Sequence, residues 1–186
     1  MGWRLLSCIP VIALALASCT NIFAPKEGVI AGGTSGLRIT DQETPEAVLT
    51  NFRYSYVFHD SLIYSRIIDS SFVFTYYNSD AAGGAGRYES WGRDTELRTT
   101  GRLLRVFKNI NLIWNSTVDS AYRVIPTDST WRDTSFAAAN EARVSKSFEL
   151  SLDQEISISG NAIFYFKKST ADAKWRVTQW IDESIF

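Results

Sequence analysis

The sequence predicts an α+β fold in which N-terminal helices pack on a strongly curved antiparallel sheet. Two observations carry this prediction. Apolar residues recur at three- and four-residue spacing after Glu46, which is typical of a helix with one buried face. Residues 143–182 instead alternate apolar and polar side chains, the period of a half-buried strand. Helices followed by a run of strands are typical of α+β domains.

The most extended strand pattern lies at residues 155–182 and predicts a β-hairpin. Even-numbered residues from Ile156 to Phe166 are apolar or small and are predicted to face the core. The returning strand is predicted to bury Trp175, Val177 and Ile181 and to expose Arg176, Thr178 and Asp182. Because a hairpin alone is only marginally stable in water, the earlier helices are expected to cover its apolar face.

The helix boundaries follow from capping residues. Thr44-Pro45-Glu46 predicts the start of a first helix that ends near His59, and Asp60 predicts the cap of a second. The second helix is predicted to bury its aliphatic residues, which are Leu62, Ile63, Ile67 and Ile68.

The middle of the chain alternates loops, strands and one further helix. Residues 69–71 are predicted to break the second helix, and residues 72–77 form a strand. The glycine-rich residues 78–87 fit no phosphate-binding motif and predict a loop. The remaining predicted elements are a helix from Trp91 or Arg93 to Phe107, a strand over residues 109–125 with a bulge, a polar turn at 126–132 and a strand over 143–152.

The first 19 residues predict a secretion signal that ends in a lipid-modified cysteine. Residues 1–4 carry a positive charge, and residues 5–16 form an apolar run that is too short to span a bilayer. The segment Leu16-Ala17-Ser18-Cys19 resembles the bacterial lipobox. That resemblance implies cleavage before Cys19 and acylation of Cys19, so residues 1–18 are a predicted signal peptide. The alternative is an ordinary signal peptide in which Cys19 is incidental.

We therefore expect a bacterial cell-envelope protein, held to a membrane by lipid. Two or more acyl chains anchor a protein stably, whereas one does so only marginally. Thr20 rather than Asp follows the cysteine, which favours the outer membrane where the organism has one.

Residues 19–41 are glycine-rich without an apolar period, and they predict a flexible tether of about 25 Å average reach. An alternative is that the apolar residues Ile22, Phe23 and Ile39 dock on the domain. The domain itself is predicted to occupy residues 42–186.

Charge and cysteine content exclude several classes. The net charge of −1 predicts neither a basic footprint for nucleic acid nor a polybasic membrane patch. The chain holds no cysteine after Cys19, so no disulfide is expected in the secreted domain. One histidine without a second histidine or a further cysteine makes no metal site, and no cofactor is predicted.

Three stretches carry a resemblance to a known superfamily: TPEAVLTNFRYSYVFHDSLIYSRIIDSSFVF, SWGRDTELRTT and GNAIFYFKKSTADAKWRVTQWID. They resemble the nuclear transport factor two-like superfamily, whose cystatin-like cone is shared with steroid isomerases, scytalone dehydratase and polyketide cyclases. The resemblance implies helices covering a curved sheet, and the small residues Gly160 and Ala162 suit such a bend. The alternative is a generic domain of helices on a meander of strands.

The enzymes of that superfamily place a general base near the end of the first strand. Tyr76 falls there in this sequence, and Asp80 comes several residues later, which disfavours isomerase-like proton transfer. The only catalytic candidates are His59 and Asp60, and a histidine at a helix end is more often a cap than a catalyst.

We expect a non-catalytic binding or interaction domain. One alternative is an apolar small molecule bound in the cone, for which the candidate residues are Phe52, Tyr56, Tyr76, Phe164 and Phe166. Another is an isomerase-, cyclase- or dehydratase-like enzyme. A filled cone that exposes Trp180 and Tyr165 on its outer face would instead favour a homodimer or a protein partner bound through the sheet.

Overall fold

The structure, a computed structural model, describes residues 36–125, 128–132 and 138–185. Cys19, the predicted signal peptide and most of the predicted tether lie outside the described residues. The helices are α1 (Pro45–Val57), α2 (Ser61–Ile67), α3 (Ala81–Gly84) and α4 (Arg93–Val106). The strands are β1 (Ile68–Asn78), β2 (Arg87–Gly92), β3 (Ile110–Val124), β4 (Asp128–Arg132), β5 (Glu141–Leu152), β6 (Ile156–Lys168) and β7 (Trp175–Ile185).

The described strands form one curled sheet in the order β2-β1-β7-β6-β5-β3-β4. All neighbours are antiparallel except β1 and β7, which run parallel and make the sheet mixed. The predicted α+β cone, with helices packed on a strongly curved sheet, is confirmed. The last strand lies inside the sheet between β1 and β6, so its inward side chains reach the centre of the cone.

The predicted helix caps are confirmed. The Thr44 hydroxyl accepts a hydrogen bond from the Ala47 amide at 3.0 Å, and Pro45 is the first residue of α1. Asp60 Oδ1 accepts from the amides of Leu62 and Ile63 at 3.0 and 2.9 Å. These bonds satisfy amides that have no partner within the first turn of a helix.

The buried face of α2 differs from the prediction. Leu62 is 68% exposed, whereas Tyr64 is buried beside Ile63 and Ile67. Leu62 lies about 140° from Ile67 around the helix, so both residues cannot face the core. The second helix ends at Ile67, just before the predicted break at residues 69–71, but β1 begins at Ile68 rather than at Phe72 as predicted.

Two short strands were missed by the sequence analysis. The short helix α3 lies within the predicted loop at residues 78–87, and β2 begins where that loop was predicted to end. β4 lies within the predicted turn at residues 126–132. Both are edge strands with a single neighbour in the sheet. A strand of this kind needs little apolar alternation, and β2 is largely exposed. The predicted bulge in β3 is confirmed between Trp114 and Asp119.

A β-bulge changes which residues of β7 face inward. Phe166 pairs with Val177, but Tyr165 pairs with Gln179, so Thr178 is an extra residue. The predicted inward position of Ile181 and outward positions of Trp180 and Asp182 are therefore wrong, because one inserted residue reverses the alternation. The inner face of β7 beyond the bulge carries Trp180, Asp182 and Ser184, which oppose Phe164, Ala162 and Gly160.

Gly160 allows β6 and β7 to approach closely near the end of β7. A Cβ atom at this position would overlap the backbone of Ser184 and would lie 2.7 Å from the Glu183 carbonyl oxygen. The role predicted for this small residue in the bent sheet is consistent with that contact.

The chain is fastened to the domain from Thr40 onward. The Thr40 amide donates to Asn51 Oδ1 at 2.7 Å, and the Asn51 side chain, which is 2% exposed, donates back to the Thr40 carbonyl at 2.9 Å. The buried Gln42 side chain donates to the Trp175 carbonyl at 3.0 Å. Among the described residues, no helix has both the length and the apolar character needed to cross a membrane.

Candidate functional site: the mouth of the cone

The interior of the cone is mostly filled by aromatic rings. Phe52 of α1 is 1% exposed and is surrounded by five rings at centroid distances of 5.0 to 5.7 Å. Those five rings belong to Tyr56, Tyr64, Trp114, Phe164 and Trp180. Phe52 stacks on Tyr56 and meets the other four rings edge to face, and both arrangements stabilise a core beyond the area that they bury.

A small cavity of about 80 Å³ remains beside this aromatic cluster. We call it the inner cavity. Its wall is apolar except at the inner face of β7, where Asp182 and Ser184 contribute polar groups. The lining residues are Phe52, Tyr56, Leu112, Trp114, Phe148, Leu150, Ile158, Trp180, Asp182 and Ser184.

A second, larger depression of about 470 Å³ adjoins the inner cavity, and we call it the outer groove. Asp182 and Ser184 line both spaces, which places them at the boundary between the two. The other lining residues are Phe74, Tyr76, Tyr77, Ser79, Trp91 and Glu183. The inner cavity and the outer groove together form the candidate site, the mouth of the cone.

Asp182 is the carboxyl group at the centre of this mouth. Its oxygens accept hydrogen bonds from the Ser184 amide at 3.0 Å and the Ser184 hydroxyl at 3.1 Å. Burial, with a further contribution from Glu183, raises the pKa of Asp182 above its ordinary value. The group is therefore easier to keep protonated than a surface aspartate, and it can accept a hydrogen bond from a ligand or pair with a cation.

Trp180 supplies an unused donor next to this acceptor. Its indole N–H is buried and has no hydrogen-bond partner within the described residues, although the ring lines the inner cavity. A buried donor without a partner costs about 1 to 3 kcal/mol. The buried indole N–H of Trp175, which does not line the mouth, also lacks a partner in the described part of the chain. Trp180 and Asp182 thus bring a residue with an unpaired donor and an acceptor to the wall of the same cavity.

A second buried carboxyl group stabilises the helices behind the mouth. Glu96 of α4 is 2% exposed and accepts three hydrogen bonds. Its Oε1 accepts from the Tyr64 hydroxyl at 2.6 Å and the Thr100 hydroxyl at 2.7 Å, and its Oε2 accepts from the Trp91 indole at 2.7 Å. These bonds tie α2, β2 and α4 together.

The phenol groups close to Glu96 are held in their neutral form. Burial, followed by the nearby Glu96 carboxyl, raises the pKa of Tyr56 and that of Tyr64 well above the ordinary value. Tyr56 also lines the inner cavity, while its hydroxyl group interacts with Thr100 and Tyr64 beside Glu96.

The predicted ligand-binding residues separate into two groups. Phe52 and Tyr56 line the inner cavity, and Tyr76 lines the outer groove, where its hydroxyl donates to Glu89 Oε2 at 2.8 Å. Phe164 and Phe166 are 0% and 1% exposed and line neither space, because they belong to the packed core.

The predicted catalytic candidates lie elsewhere. His59 occupies the turn between α1 and α2 with φ of 57°, and its Nδ1 lies 2.7 Å from the Leu104 carbonyl oxygen. Asp60 caps α2. Neither residue lines the mouth. Within the described ranges, no group of three or more His, Cys, Asp or Glu side chains is arranged to hold a metal ion.

Asp182 and Glu96 were not identified from the sequence. Asp182 follows an apparently unbroken alternation, and no residue type at Thr178 signals the bulge that turns it inward. Glu96 lies in the first turn of α4, where an acid is typical of a solvent-exposed position near the helix dipole. One weak signal was present, since the segment SWGRDTELRTT places Trp91 five residues before Glu96.

Known proteins are similar to this chain in fold, and the similarity does not identify a function. Neither a family model nor a curated protein matches this chain. Solved structures do: a conserved protein from Planctomyces limnophilus has a TM-score of 0.53 and 12% identity, over 75% of this chain and 92% of that one.

Two further similar structures carry the name of the fold. An uncharacterised protein from Caulobacter vibrioides with a cystatin-like fold has a TM-score of 0.51 and 10% identity, over 76% of this chain and 87% of that one. A protein of unknown function from Nostoc punctiforme, also with a cystatin-like fold, has a TM-score of 0.50 and 11% identity, over 75% of this chain and 87% of that one. At such low identity these likenesses show fold alone. The described domain therefore has the cystatin-like cone fold.

Proposed function

We propose that this chain is a lipid-anchored cell-envelope protein whose cone is a non-catalytic binding domain for a small, largely apolar molecule. The observation that supports ligand binding is the pair of polar groups on the apolar wall of the mouth. Asp182 accepts hydrogen bonds only from its own neighbour Ser184 in the described structure, and the Trp180 donor has no partner. Such convergent polar groups on an apolar wall are typical of ligand sites.

The sizes of the two spaces limit where the ligand lies. Ligand pockets typically measure about 300 to 1,000 Å³. The inner cavity of about 80 Å³ is below that range, whereas the outer groove of about 470 Å³ falls within it. The ligand body therefore lies in the groove against Phe74, Tyr76 and Trp91, and only a small group enters the inner cavity.

A thermal-shift screen tests this function. The probes are matched pairs of small arylalkylamines and arylalkyl carboxylates, because the protonated amine would pair with Asp182 and a carboxylate would be repelled. We expect amines to raise the melting temperature, and carboxylates to leave it unchanged. The Asp182→Asn variant should lose the preference. If amines and carboxylates raise the melting temperature equally, in the wild type and in the variant, binding at the mouth is contradicted.

The lipid anchor is supported by the sequence around Cys19, which lies outside the described residues. The Leu16-Ala17-Ser18-Cys19 segment follows an apolar run of signal-peptide length. In the Cys19→Ser variant, we expect unprocessed or soluble protein when cells are fractionated. If the variant is processed and remains in the membrane fraction as before, the lipobox assignment is wrong.

A second candidate function is proton transfer in an isomerase-, cyclase- or dehydratase-like enzyme. The raised pKa of Asp182 and the neutral phenol of Tyr56 near it favour this candidate, since a general base works best with a pKa closer to neutral. The Asp182→Asn variant distinguishes the two functions. An enzyme would keep ligand binding and lose turnover, whereas a binding protein shows no turnover in either form.

A protein partner or a second copy of the chain would bind through the outer face of the sheet. Trp131 of β4 lies there with its ring centroid 6.0 Å from that of Tyr165, and the Arg123 guanidinium lies 4.2 Å above its ring. Aromatic and arginine side chains are enriched at protein interfaces. Analytical ultracentrifugation of the wild type and of Trp131→Ala tests this hypothesis. If a second copy binds here, the wild type forms a dimer at high concentration and the substitution weakens that dimer.

A further inference from the structure

Helix α4 exposes a segment with strongly segregated charge. Residues 98–108 contain four basic residues and no acidic residue, in a chain whose net charge is −1. All four basic residues are exposed; they are Arg98, Arg102, Arg105 and Lys108. The overall charge therefore conceals a local basic surface.

Large apolar side chains are exposed on the same side of the molecule. Val106 is 63% exposed at the end of α4, and Phe58 and Leu62 are 42% and 68% exposed around the turn between α1 and α2. The hydrogen bond between His59 Nδ1 and the Leu104 carbonyl, at 2.7 Å, holds that turn against the end of α4. We call this surface the α4 patch; a shallow groove of about 400 Å³ lies on it, lined by Arg98, Thr99, Arg102, Leu103, Val106 and Phe107.

Two of the acidic groups that border the patch are engaged with backbone amides. Asp60 Oδ1 accepts from two amides at the start of α2, and Asp153 Oδ1 accepts from the amides of Lys108 and Asn109 at 2.9 and 2.7 Å. Asp94 is a third carboxylate, exposed one turn before Arg98 on α4. Four cations against three carboxylates leave the patch positive. Exposed apolar side chains ringed by basic ones are typical of a surface that binds lipid or protein.

We propose that the α4 patch docks on the anionic phospholipid surface of the membrane to which the chain is tethered. This inference rests on the proposed lipid anchor. Val106, Phe58 and Leu62 enter the boundary between headgroups and acyl chains, as the apolar face of an interfacial helix does. The arginine side chains pair with lipid phosphates, which their planar guanidinium groups match in geometry.

The position of the tether favours the membrane as the occupant. The first contacts of the chain with the domain join Thr40 to Asn51 of α1. Asn51 lies about 10 Å along α1 from Phe58, one of the apolar residues of the patch. The segment between Cys19 and Thr40 can extend to about 70 Å, which is ample to let the patch reach the bilayer.

Lipid quenching on the full lipidated chain tests the proposal. A fluorophore is attached through Val106→Cys, and in a separate protein through Ser145→Cys on the outer face of β5. Each protein is reconstituted in phosphatidylglycerol vesicles that contain nitroxide-labelled lipid. We expect strong quenching at position 106 and little at position 145. The pair Arg102→Glu and Arg105→Glu should reduce the quenching severalfold, whereas the matched pair Lys167→Glu and Lys174→Glu should not.

Flotation of the same vesicles separates this inference from the lipid anchor. Protein that floats while the label at position 106 stays unquenched overturns the α4 patch and leaves the anchor standing. Protein that floats only with anionic lipid, and only when Arg102 and Arg105 are intact, supports the patch and contradicts the anchor. Protein that does not float with any vesicle contradicts both. Circular dichroism and melting of each variant establish that the substitutions leave the fold intact.

Discussion

Phe164 and Trp180 lie opposite each other across β6 and β7, with 5.7 Å between their ring centroids. Phe164 is fully buried and also contacts the rings of Phe52 and Trp114 at 5.6 Å each. Trp180 has one side on this cluster and the other on the inner cavity. The pair therefore marks the limit between the packed part of the cone and its mouth.

Replacement of Phe164 by alanine should destabilise the protein severely. The lost ring leaves a cavity among aromatic neighbours, and such a change costs about 3 to 5 kcal/mol in a tight core. Ile156→Ala, at a residue of the same strand that is 45% exposed, is the control and should cost much less. Urea unfolding measures both. A Phe164→Ala protein as stable as the control would mean that the ring faces empty space, as in a pocket.

Much of the fold could be predicted because its signals are local. The start of α1 is encoded by Thr44 and Pro45, and the start of α2 by Asp60, which accepts the first amides of that helix. The alternation in β5 and β6 predicted their buried faces because each of these strands keeps a regular register with its partner over nearly its full length.

The site could not be predicted because its determinants are tertiary. The inward position of Asp182 depends on the extra residue Thr178, and nothing in the local sequence distinguishes this threonine from any other strand residue. The buried position of Glu96 depends on one donor from its own helix and on donors from α2 and β2, which only the folded chain brings to it. A sequence pattern reports burial by apolar side chains and is insensitive to a satisfied buried carboxyl.

Loss of the Tyr64 hydroxyl should destabilise the Glu96 network. Tyr64→Phe removes one of the two donors to Oε1 of a carboxyl that is 2% exposed, and a buried group that loses a partner costs about 1 to 3 kcal/mol. Tyr77→Phe is the matched control, because Tyr77 is 51% exposed and should change stability by less than about 0.5 kcal/mol. Equal effects of the two substitutions in urea unfolding would argue against a tight network.

The boundary of the domain makes a further prediction. A chain that begins at Asp41 should fold and melt cooperatively, independent of reductant, because the mature protein is expected to have no disulfide. A chain that begins at Gly36 should be more stable by about 1 to 3 kcal/mol, since it retains the bonds between Thr40 and the buried Asn51. Differential scanning calorimetry compares the two. If the two chains melt alike, the Thr40 contacts contribute no net stability.

The carboxyl at the mouth should cost stability at neutral pH. Burial raises the pKa of Asp182 above its ordinary value of 3.8, so the folded protein binds this proton more tightly than the unfolded chain does. Stability therefore falls as the pH rises from the unfolded to the folded pKa, and it stays lower above that window. Asparagine does not titrate and can retain the acceptor for the Ser184 amide. Asp182→Asn should accordingly be more stable than the wild type at pH 7, and the advantage should vanish below pH 3.8.

Asp172 provides a control of opposite sign for this prediction. Its salt bridge with Arg176 holds the pKa of the Asp172 carboxyl below its ordinary value, so Asp172→Asn should lose stability at pH 7, by an amount that screening at the exposed surface keeps small. Melting temperatures of the wild type and both variants from pH 3 to pH 8 test the two signs together. An Asp182→Asn protein that follows the wild-type profile throughout would show that this carboxyl is solvated. If Asp182→Asn is more stable than the wild type and also loses the preference for amines, the Asp182 carboxyl serves binding at a cost in stability. Such a cost is common at functional sites.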